Sequence, residues 1–397
     1  MASRKRIAAI VSTYFPASHA DVIVTKFLKG FPTDEGLLPP EVDIVSLYMD
    51  QLSDRDIGTA MAQQFGVPMY PSIPQALCLG GKELAVDGVL AIGEHGDYAY
   101  NEKGQKMYPR RHFFEQIAGV IATAGRPVPV FTDKHLSYCW DDARWICDRA
   151  RQLRIPMMAG STIPLFWRRP WLEHEVGCEL TDALVISYGD IEAYGYHGLE
   201  GLQCMVERRR GGETGVRAVQ CVEGPAVWAA LDGPNRELAE AAVALVDRQE
   251  GAEGPLEKLF EDPVLFQLEY TDGCRGALLQ PNSYGGAIRG WSYAGRVGGQ
   301  VQATGLHSHG DPYPHFSYLG LNVQSMFLTG QPRTPVERTL LVTGVLDALM
   351  ESRHQGHLRL PTPHLDVIYQ PLADAPIRPL APAPSGASTQ AMHHTGS

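Results

Sequence analysis

Cysteine pairs are missing from this chain of 397 residues. Its seven cysteines lie at positions 78, 139, 147, 178, 204, 221 and 274, and no two of them form a C-x-x-C pair. An odd number at such irregular spacing argues against a disulfide framework and against a structural zinc site. Reduced, buried thiols are the ordinary state of such cysteines, and we expect a cytoplasmic protein.

Long apolar runs and clustered positive charge are scarce as well. No apolar stretch approaches the roughly 20 residues that span a bilayer, so we expect no membrane partner. The net charge is -11, and the densest basic run, at 208–210, is flanked by Glu207 and Glu213. Nucleic acid needs a basic face and is not expected as a partner, which leaves a small-molecule substrate as the better prediction.

What the chain does contain predicts a globular protein of two domains. Hydrophobic residues make up 44% and charged residues 20%, as in folded proteins, and the length exceeds one ordinary core. Residues 1–165 alternate short apolar runs with helical stretches, which predicts an α/β domain with a Rossmann-like, doubly wound parallel sheet. Residues 166–370 predict an α+β domain with an open, mostly antiparallel sheet, and 371–397, rich in Pro, Ala and Ser, a disordered tail.

Polar side chains follow several of the predicted parallel strands where each strand ends. They are His19, Glu94, His95, Lys134 and His135. The carboxyl ends of parallel strands meet at one edge of the sheet, which is where such sheets bind ligands. Lys134 is therefore a candidate acid–base group. His19, Glu94, His95 and His135 could together hold a divalent metal such as zinc, manganese or iron, although a hydrogen-bonded pocket without metal fits the same residues.

A second candidate group lies at the start of a predicted helix. His197 and Glu200 are three positions apart, so they share one face of that helix. A histidine there can act as a general base or, with Glu200, ligate a metal. The candidate catalytic residues are thus Lys134, His197, Glu200 and His95. A further histidine cluster, at 307–311, stands in a Gly- and Pro-rich stretch and is interpreted as a surface loop.

Two segments resemble the Gfo/Idh/MocA oxidoreductases. The run 128–131 followed by Asp133-Lys134-His135 is similar to the strand of that family that ends in Glu-Lys-Pro. The string AYGYHGLE at 193–200 resembles its Asp-x-Gly-x-His-x-x-Asp pattern, which supplies a catalytic histidine. The resemblance implies an oxidoreductase that uses NAD or NADP on a sugar- or cyclitol-like substrate. It also implies Lys134 and His197 as the acid–base pair and a homo-oligomer through the C-terminal sheet.

The first strand-end loop departs from the family. Where the family has a Gly-x-Gly-x-x-Gly variant, residues 12–19 read STYFPASH, without glycine. Ser12, Thr13 and Ser18 could still donate hydrogen bonds to an anion. Asp50 ends the second strand, where it could bind ribose hydroxyls, and Glu94 is the remaining cofactor-binding candidate.

A second function therefore stays open on the same scaffold. It is a redox-neutral, metal-assisted lyase, isomerase or hydrolase that has lost the dinucleotide site and uses His19, Glu94, His95 and His135.

Overall fold

The first apolar runs of the chain form a parallel sheet. The computed structural model describes residues 4–372 and 376–379. The strands of this part are β1 (Lys5–Val11), β2 (Phe31–Thr33), β3 (Gly36–Leu38), β4 (Val42–Met49), β5 (Gly88–Ile92), β6 (Val130–Asp133) and β7 (Met157–Gly160). Five of them pair in the order β4-β1-β5-β6-β7, all parallel, and β2 and β3 form a separate hairpin. The predicted Rossmann-like sheet is confirmed.

Helices cover both faces of the parallel sheet. They are α1 (His19–Lys29), α2 (Gly58–Phe65), α3 (Ile73–Leu77), α4 (Arg110–Ala124) and α5 (Trp140–Gln152). The side chains of β1 alternate between the two cores: Ala8 and Ile10 pack with α3, α4 and α5, whereas Ile7, Ala9 and Val11 pack with α1 and α2. Burial on both faces explains why the strands are continuously apolar in sequence.

The second part of the chain forms a larger, mixed sheet. Its strands are β8 (Trp167–Arg169), β9 (Leu180–Ile186), β10 (Glu213–Thr214), β11 (Val216–Glu223), β12 (Pro263–Tyr270), β13 (Arg275–Pro281), β14 (Trp291–Val297), β15 (Gln300–His307), β16 (Leu360–Pro361) and β17 (Ile368–Tyr369). Eight strands pair in the order β16-β11-β12-β13-β9-β14-β15-β8, and β10 pairs with β17 alone. Within the eight, only the β13–β9 pair is parallel among the described residues, which confirms the mostly antiparallel prediction.

The second part of the chain also contains helices. They are α6 (Ala193–Val206), α7 (Ala226–Ala230), α8 (Pro234–Val243), α9 (Leu256–Leu259), α10 (Pro314–Thr329) and α11 (Val336–His354). Helices α6 and α11 pack on one face, and α7, α8 and α9 close a separate core on the other. None of the helices in the described ranges is long and apolar enough to cross a membrane.

The sequence analysis did not predict helices α7 to α9. They lie on the face of the larger sheet opposite α6 and α11. The predicted homo-oligomer through the C-terminal sheet stays a prediction.

The last two helices return to the parallel sheet. Helix α10 packs against α1 and β2, and α11 packs against α5 and β7. A buried ion pair joins Arg338 of α11 to Glu207, the residue directly after α6. The distance from Arg338 Nε to Glu207 Oε2 is 2.8 Å. Most of the predicted tail, 371–397, lies outside the described residues. Within it, Ile377 exchanges two backbone hydrogen bonds with the side chain of Asn322 on α10.

We predict that the core beneath α8 contributes strongly to stability. Leu238 of α8 is fully buried in that core, so Leu238→Ala should lower the free energy of unfolding by about 2–5 kcal/mol. The matched control, Leu358→Ala, removes a side chain that is 54% exposed and should change it by about 0.5 kcal/mol or less. Urea unfolding measures both, and equal effects of the two variants would show that α8 does not pack on the sheet as described.

Candidate active site

A cleft of about 500 Å³ opens at the carboxyl edge of the parallel sheet. One wall comes from the loops that follow β1, β5 and β6, and the other from α6, β14 and the segment before α10. Its charged and imidazole side chains are those of His19, Glu94, His95, Lys134, His197, His309 and His315. Lys134 and His197 thus line one cleft, although about sixty positions separate them in sequence.

Glu94 anchors the wall that belongs to the parallel sheet. Its Oε1 accepts a hydrogen bond from Lys134 Nζ at 2.7 Å, and its Oε2 accepts one from Arg110 Nη2 at 2.6 Å. All three side chains are 5% exposed or less. Burial alone would raise the pKa of the Glu94 carboxyl, but the charges of Lys134 and Arg110 outweigh it and hold the pKa well below its usual range.

Asp133, the last residue of β6, extends this network to α1. Its Oδ1 accepts hydrogen bonds from the Gly93 amide at 2.9 Å and from Arg110 Nη1 at 3.0 Å. Its Oδ2 lies 2.8 Å from Nδ1 of His19. Burial again opposes ionisation, but Arg110 and the bond with His19 lower the pKa of Asp133 overall. Two carboxylates, one guanidinium and one ammonium are therefore buried as a charge-balanced set.

Two residues of the cleft hold an unusual backbone conformation. Lys134 has φ of 54° and His95 has φ of 69°, in the left-handed region that side chains other than glycine rarely adopt. The Lys134 amide donates to the carbonyl of Gly160 at 3.0 Å, which fixes the turn after β6. Strained conformations of this kind cluster at functional sites, where surrounding contacts hold them.

The histidines that line the cleft are mostly uncharged. Burial lowers the pKa of His95 to about 4. Burial, followed by the nearby charges of Lys134 and His19, also holds the pKa of His197 well below its ordinary value. His197 Nδ1 has no hydrogen-bond partner among the described residues. Both rings are thus neutral imidazoles at neutral pH.

Glu200 lies beneath the cleft rather than in it. Its Oε2 accepts a hydrogen bond from the Ser161 amide at 2.7 Å, just after β7. Gly160 has φ of +126°, and a side chain there would collide with the Glu200 carboxylate. The Glu200 carboxylate holds the end of β7 and does not line the cleft with His197, and its catalytic role stays a prediction.

The predicted metal ligands do not form a metal site. The two oxygens of Glu94 bind cationic side chains, and His19 Nδ1 faces Asp133. His135 is directed elsewhere, with its ring 5.4 Å from that of Tyr196. Over residues 4–372 and 376–379, no group of three or more His, Cys, Asp or Glu is placed to hold a metal ion. The prediction of metal at His19, Glu94, His95 and His135 is not supported, because Glu94 and His19 bind other side chains and His135 does not line the cleft.

The predicted phosphate-binding loop, residues 12–18, satisfies most of its own hydrogen bonds. Ser12 Oγ donates to the Glu94 carbonyl at 2.6 Å, and Thr13 is buried. Ser18 caps α1, where its Oγ accepts from the amides of Phe15 and Asp21 at 3.1 and 3.3 Å. The first turn of a helix leaves its amides unpaired, and here those of His19 and Ala20 remain for an anion.

Other side chains near the ends of β1 and β4 also limit the space and the charge available to a ligand. Asp21 Oδ2 accepts from the Ala17 amide at 2.9 Å, which places a carboxylate at the helix N-terminus. The Phe15 ring packs against His95 with centroids 5.4 Å apart. At the end of β4, the oxygens of Asp50 accept from the hydroxyls of Tyr48 and Tyr98, both at 2.8 Å.

These contacts decide how the edge of the sheet fits a dinucleotide. The cleft beside Lys134 has a volume of about 500 Å³, which lies within the range of small-molecule sites. The diphosphate fits poorly, because the residues that replace the family's glycines fill the loop and Asp21 brings a negative charge.

Several residues of the cleft were not expected from the sequence. His309, interpreted as part of a surface loop, lines the cleft together with His315. Trp291 of β14 and Tyr194 of α6 form an aromatic wall, stacked at 11° with ring centroids 5.8 Å apart. They come from different elements, so no local pattern could have grouped them.

Comparison with known proteins identifies the fold. Neither a family model nor a curated protein matches the sequence. Among solved structures, GenD2 from gentamicin A biosynthesis in complex with NAD is 15% identical over 91% of this chain and 97% of its own, with a TM-score of 0.57. An NAD binding oxidoreductase from Klebsiella pneumoniae is 14% identical, over 92% and 100%, at 0.54. Apo scyllo-inositol dehydrogenase from Lactobacillus casei is 10% identical, over 90% and 98%, at 0.53.

The chain therefore has the two-part fold of these NAD-binding oxidoreductases. The fold that the resemblance to Gfo/Idh/MocA enzymes implied is confirmed over nearly the whole length.

We predict that Glu94 is required for stability because it balances two buried cations. Glu94→Gln keeps the shape of the side chain but leaves Lys134 and Arg110 with one carboxylate less, and should lower the free energy of unfolding by about 3–5 kcal/mol. Glu102→Gln, a matched change at an exposed position, should alter it by about 0.5 kcal/mol or less. Urea unfolding at neutral pH is the measurement. A Glu94→Gln protein as stable as the wild type would contradict the described network.

Proposed function

We propose that this protein is an NAD- or NADP-dependent oxidoreductase acting on a small polyhydroxylated molecule of the sugar or cyclitol kind. The observation that carries the proposal is the buried Lys134, held by Glu94 at the end of β6 and facing the same cleft as His197. The fold supports it, since the most similar solved structures include scyllo-inositol dehydrogenase and GenD2 with NAD. When bound, the nicotinamide cofactor supplies the hydride acceptor.

We propose that Lys134 and His197 act together on the substrate hydroxyl. Glu94 holds the Lys134 ammonium through one of its three N–H donors, which leaves donors for a substrate oxygen. An ammonium at that position stabilises the alkoxide that forms when the hydroxyl loses its proton. The neutral imidazole of His197 donates its ring N–H to the oxygen of the same hydroxyl and so orients it.

The shape and lining of the cleft support a ring-shaped, hydroxylated substrate. A volume of about 500 Å³ lies within the range of small-molecule sites. The aromatic rings of Trp291 and Tyr194, which line the cleft, offer an apolar surface for the C–H face of a sugar or cyclitol ring. Histidine and tyrosine side chains around the cleft offer hydrogen bonds to its hydroxyls.

The second candidate is a redox-neutral lyase or isomerase on the same scaffold. The observation that favours it is the carboxylate of Asp21 at the N-terminus of α1, where a dinucleotide would bring its diphosphate. An ammonium and neutral imidazoles can also move protons beside a carbonyl, which is what elimination and isomerisation need.

Nucleotide binding separates the two candidates. If the oxidoreductase proposal holds, NAD or NADP at millimolar concentration should raise the melting temperature, because a ligand of the native state stabilises it. Asp21→Asn removes a negative charge beside the anion-binding amides and should enlarge that shift. The control Asp54→Asn, at an exposed position, should leave it unchanged.

Absence of any shift with either nucleotide, in the wild type and in Asp21→Asn, would contradict the oxidoreductase proposal and favour the redox-neutral one.

We predict that Lys134 and His197 are each needed for turnover. Lys134→Met and His197→Ala should each lower kcat by about two to four orders of magnitude, the scale of a charge stabiliser or a positioned acid–base group. Lys82→Met and His354→Ala, outside the cleft, serve as matched controls and should keep wild-type rates. Nicotinamide reduction with a panel of cyclitols and sugars is the measurement. Near-normal turnover in either cleft variant would refute the assignment of the pair.

A further inference from the structure

The contact between His19 and Asp133 is placed to hold an imidazole in one orientation. His19 is the first residue of α1, and its Nδ1 lies 2.8 Å from Asp133 Oδ2. The other oxygen of Asp133 is bound by the Gly93 amide and by Arg110, so the carboxylate cannot turn away. The His19 side chain is 14% exposed, whereas that of Asp133 is 1% exposed.

This geometry determines which nitrogen of His19 can accept a proton. A carboxylate beside Nδ1 favours the tautomer with a proton on that nitrogen and leaves Nε2 as the acceptor. His19 lines the cleft, and Nε2 is the ring nitrogen that does not face Asp133. The same carboxylate stabilises the imidazolium that forms when Nε2 takes up a proton.

The other histidines of the cleft lack this support. Among the described hydrogen bonds, none joins His95, His197, His309 or His315 to a carboxylate. Burial lowers the pKa of His95, His197 and His315, so a proton on any of them is held weakly. Of the five, His19 is therefore the ring that the described hydrogen bonds join to a carboxylate.

We infer that His19, oriented by Asp133, is a further catalytic residue: the base that receives the proton of the substrate hydroxyl. The inference rests on the proposed function, because it assumes a hydroxylated substrate in this cleft. The O–H bond of the substrate breaks, its electron pair stays on the oxygen beside the Lys134 ammonium, and the proton forms an N–H bond at Nε2 of His19. His197 keeps its place as a hydrogen-bond partner of the same hydroxyl. Asp133 acts through His19 and is a positioning residue.

Chemical modification tests the dyad without knowledge of the substrate. Diethyl pyrocarbonate acylates unprotonated, accessible imidazole nitrogens, and peptide mass spectrometry reports the rate at each histidine. At about pH 9, where imidazoles are unprotonated and only their nucleophilicity and access differ, His19 of the wild-type protein should react faster than His95 and His197. A His19 that reacts no faster than these two would overturn the inference.

Two matched variants separate the effect of Asp133 from that of any neighbouring carboxylate. Asp133→Asn should slow the modification of His19 by about tenfold or more, as expected for a lost charge-assisted hydrogen bond. Asp247→Asn removes the same kind of partner from His307, whose Nδ1 lies 3.0 Å from Asp247 Oδ2, and should leave His19 unchanged. An unchanged rate at His19 in a folded Asp133→Asn protein would overturn the role of Asp133. If that variant does not fold, the wild-type ranking decides.

Turnover distinguishes failure of the dyad from failure of the proposed function. With a cyclitol or sugar that the wild type oxidises, His19→Gln should lower kcat by about two to four orders of magnitude. Asp133→Asn should lower kcat less and alter its dependence on pH. Full activity in His19→Gln would overturn the dyad and leave the oxidoreductase standing. A wild type that oxidises nothing in the panel, but shows the expected reactivity of His19, would remove the proposed reaction and support the dyad.

Discussion

The buried set of charges around Glu94 and Asp133 is the interaction on which the cleft depends. Two carboxylates, Arg110 and Lys134 lie almost out of contact with water, and their charges cancel. Removal of one partner from such a set leaves an uncompensated buried charge, which is costly. The set joins the loops after β5 and β6 to α4, and through His19 to α1. It therefore determines where the reactive side chains stand.

The edge of the parallel sheet is open beside Lys134 and filled at the loop after β1. Lys134 occupies the strand-end position from which ligands are bound in open α/β sheets. The loop after β1 instead forms hydrogen bonds within the chain through Ser12 and Ser18. Asp21 adds a carboxylate at the N-terminus of α1. The fold alone therefore does not decide what this edge of the sheet binds.

The sequence predicted those features that depend on periodicity and strand position. Continuous apolar runs indicated strands buried on both faces, and the shared edge of parallel strands explains why His19, Glu94, His95 and Lys134 meet. The sequence could not predict which side chains pair with one another. Glu94 was interpreted as a metal ligand. Its pairing with Arg110 and Lys134 could not be foreseen, because the three residues belong to separate elements. Glu200 shares the helix start with His197 but bonds to Ser161. The role of His309 depends on packing between distant segments.

The central claim is that the cleft beside Lys134 is the site of reaction on a hydroxylated substrate with a nicotinamide cofactor. The most direct measurement is a crystal structure of the protein grown with NAD or NADP and a cyclitol. The account predicts the nicotinamide ring and one substrate hydroxyl in this cleft, with the hydroxyl oxygen within about 3.2 Å of Lys134 Nζ. Nucleotide bound elsewhere on the chain, or a cyclitol that leaves Lys134 and both His19 and His197 without contact, would contradict it.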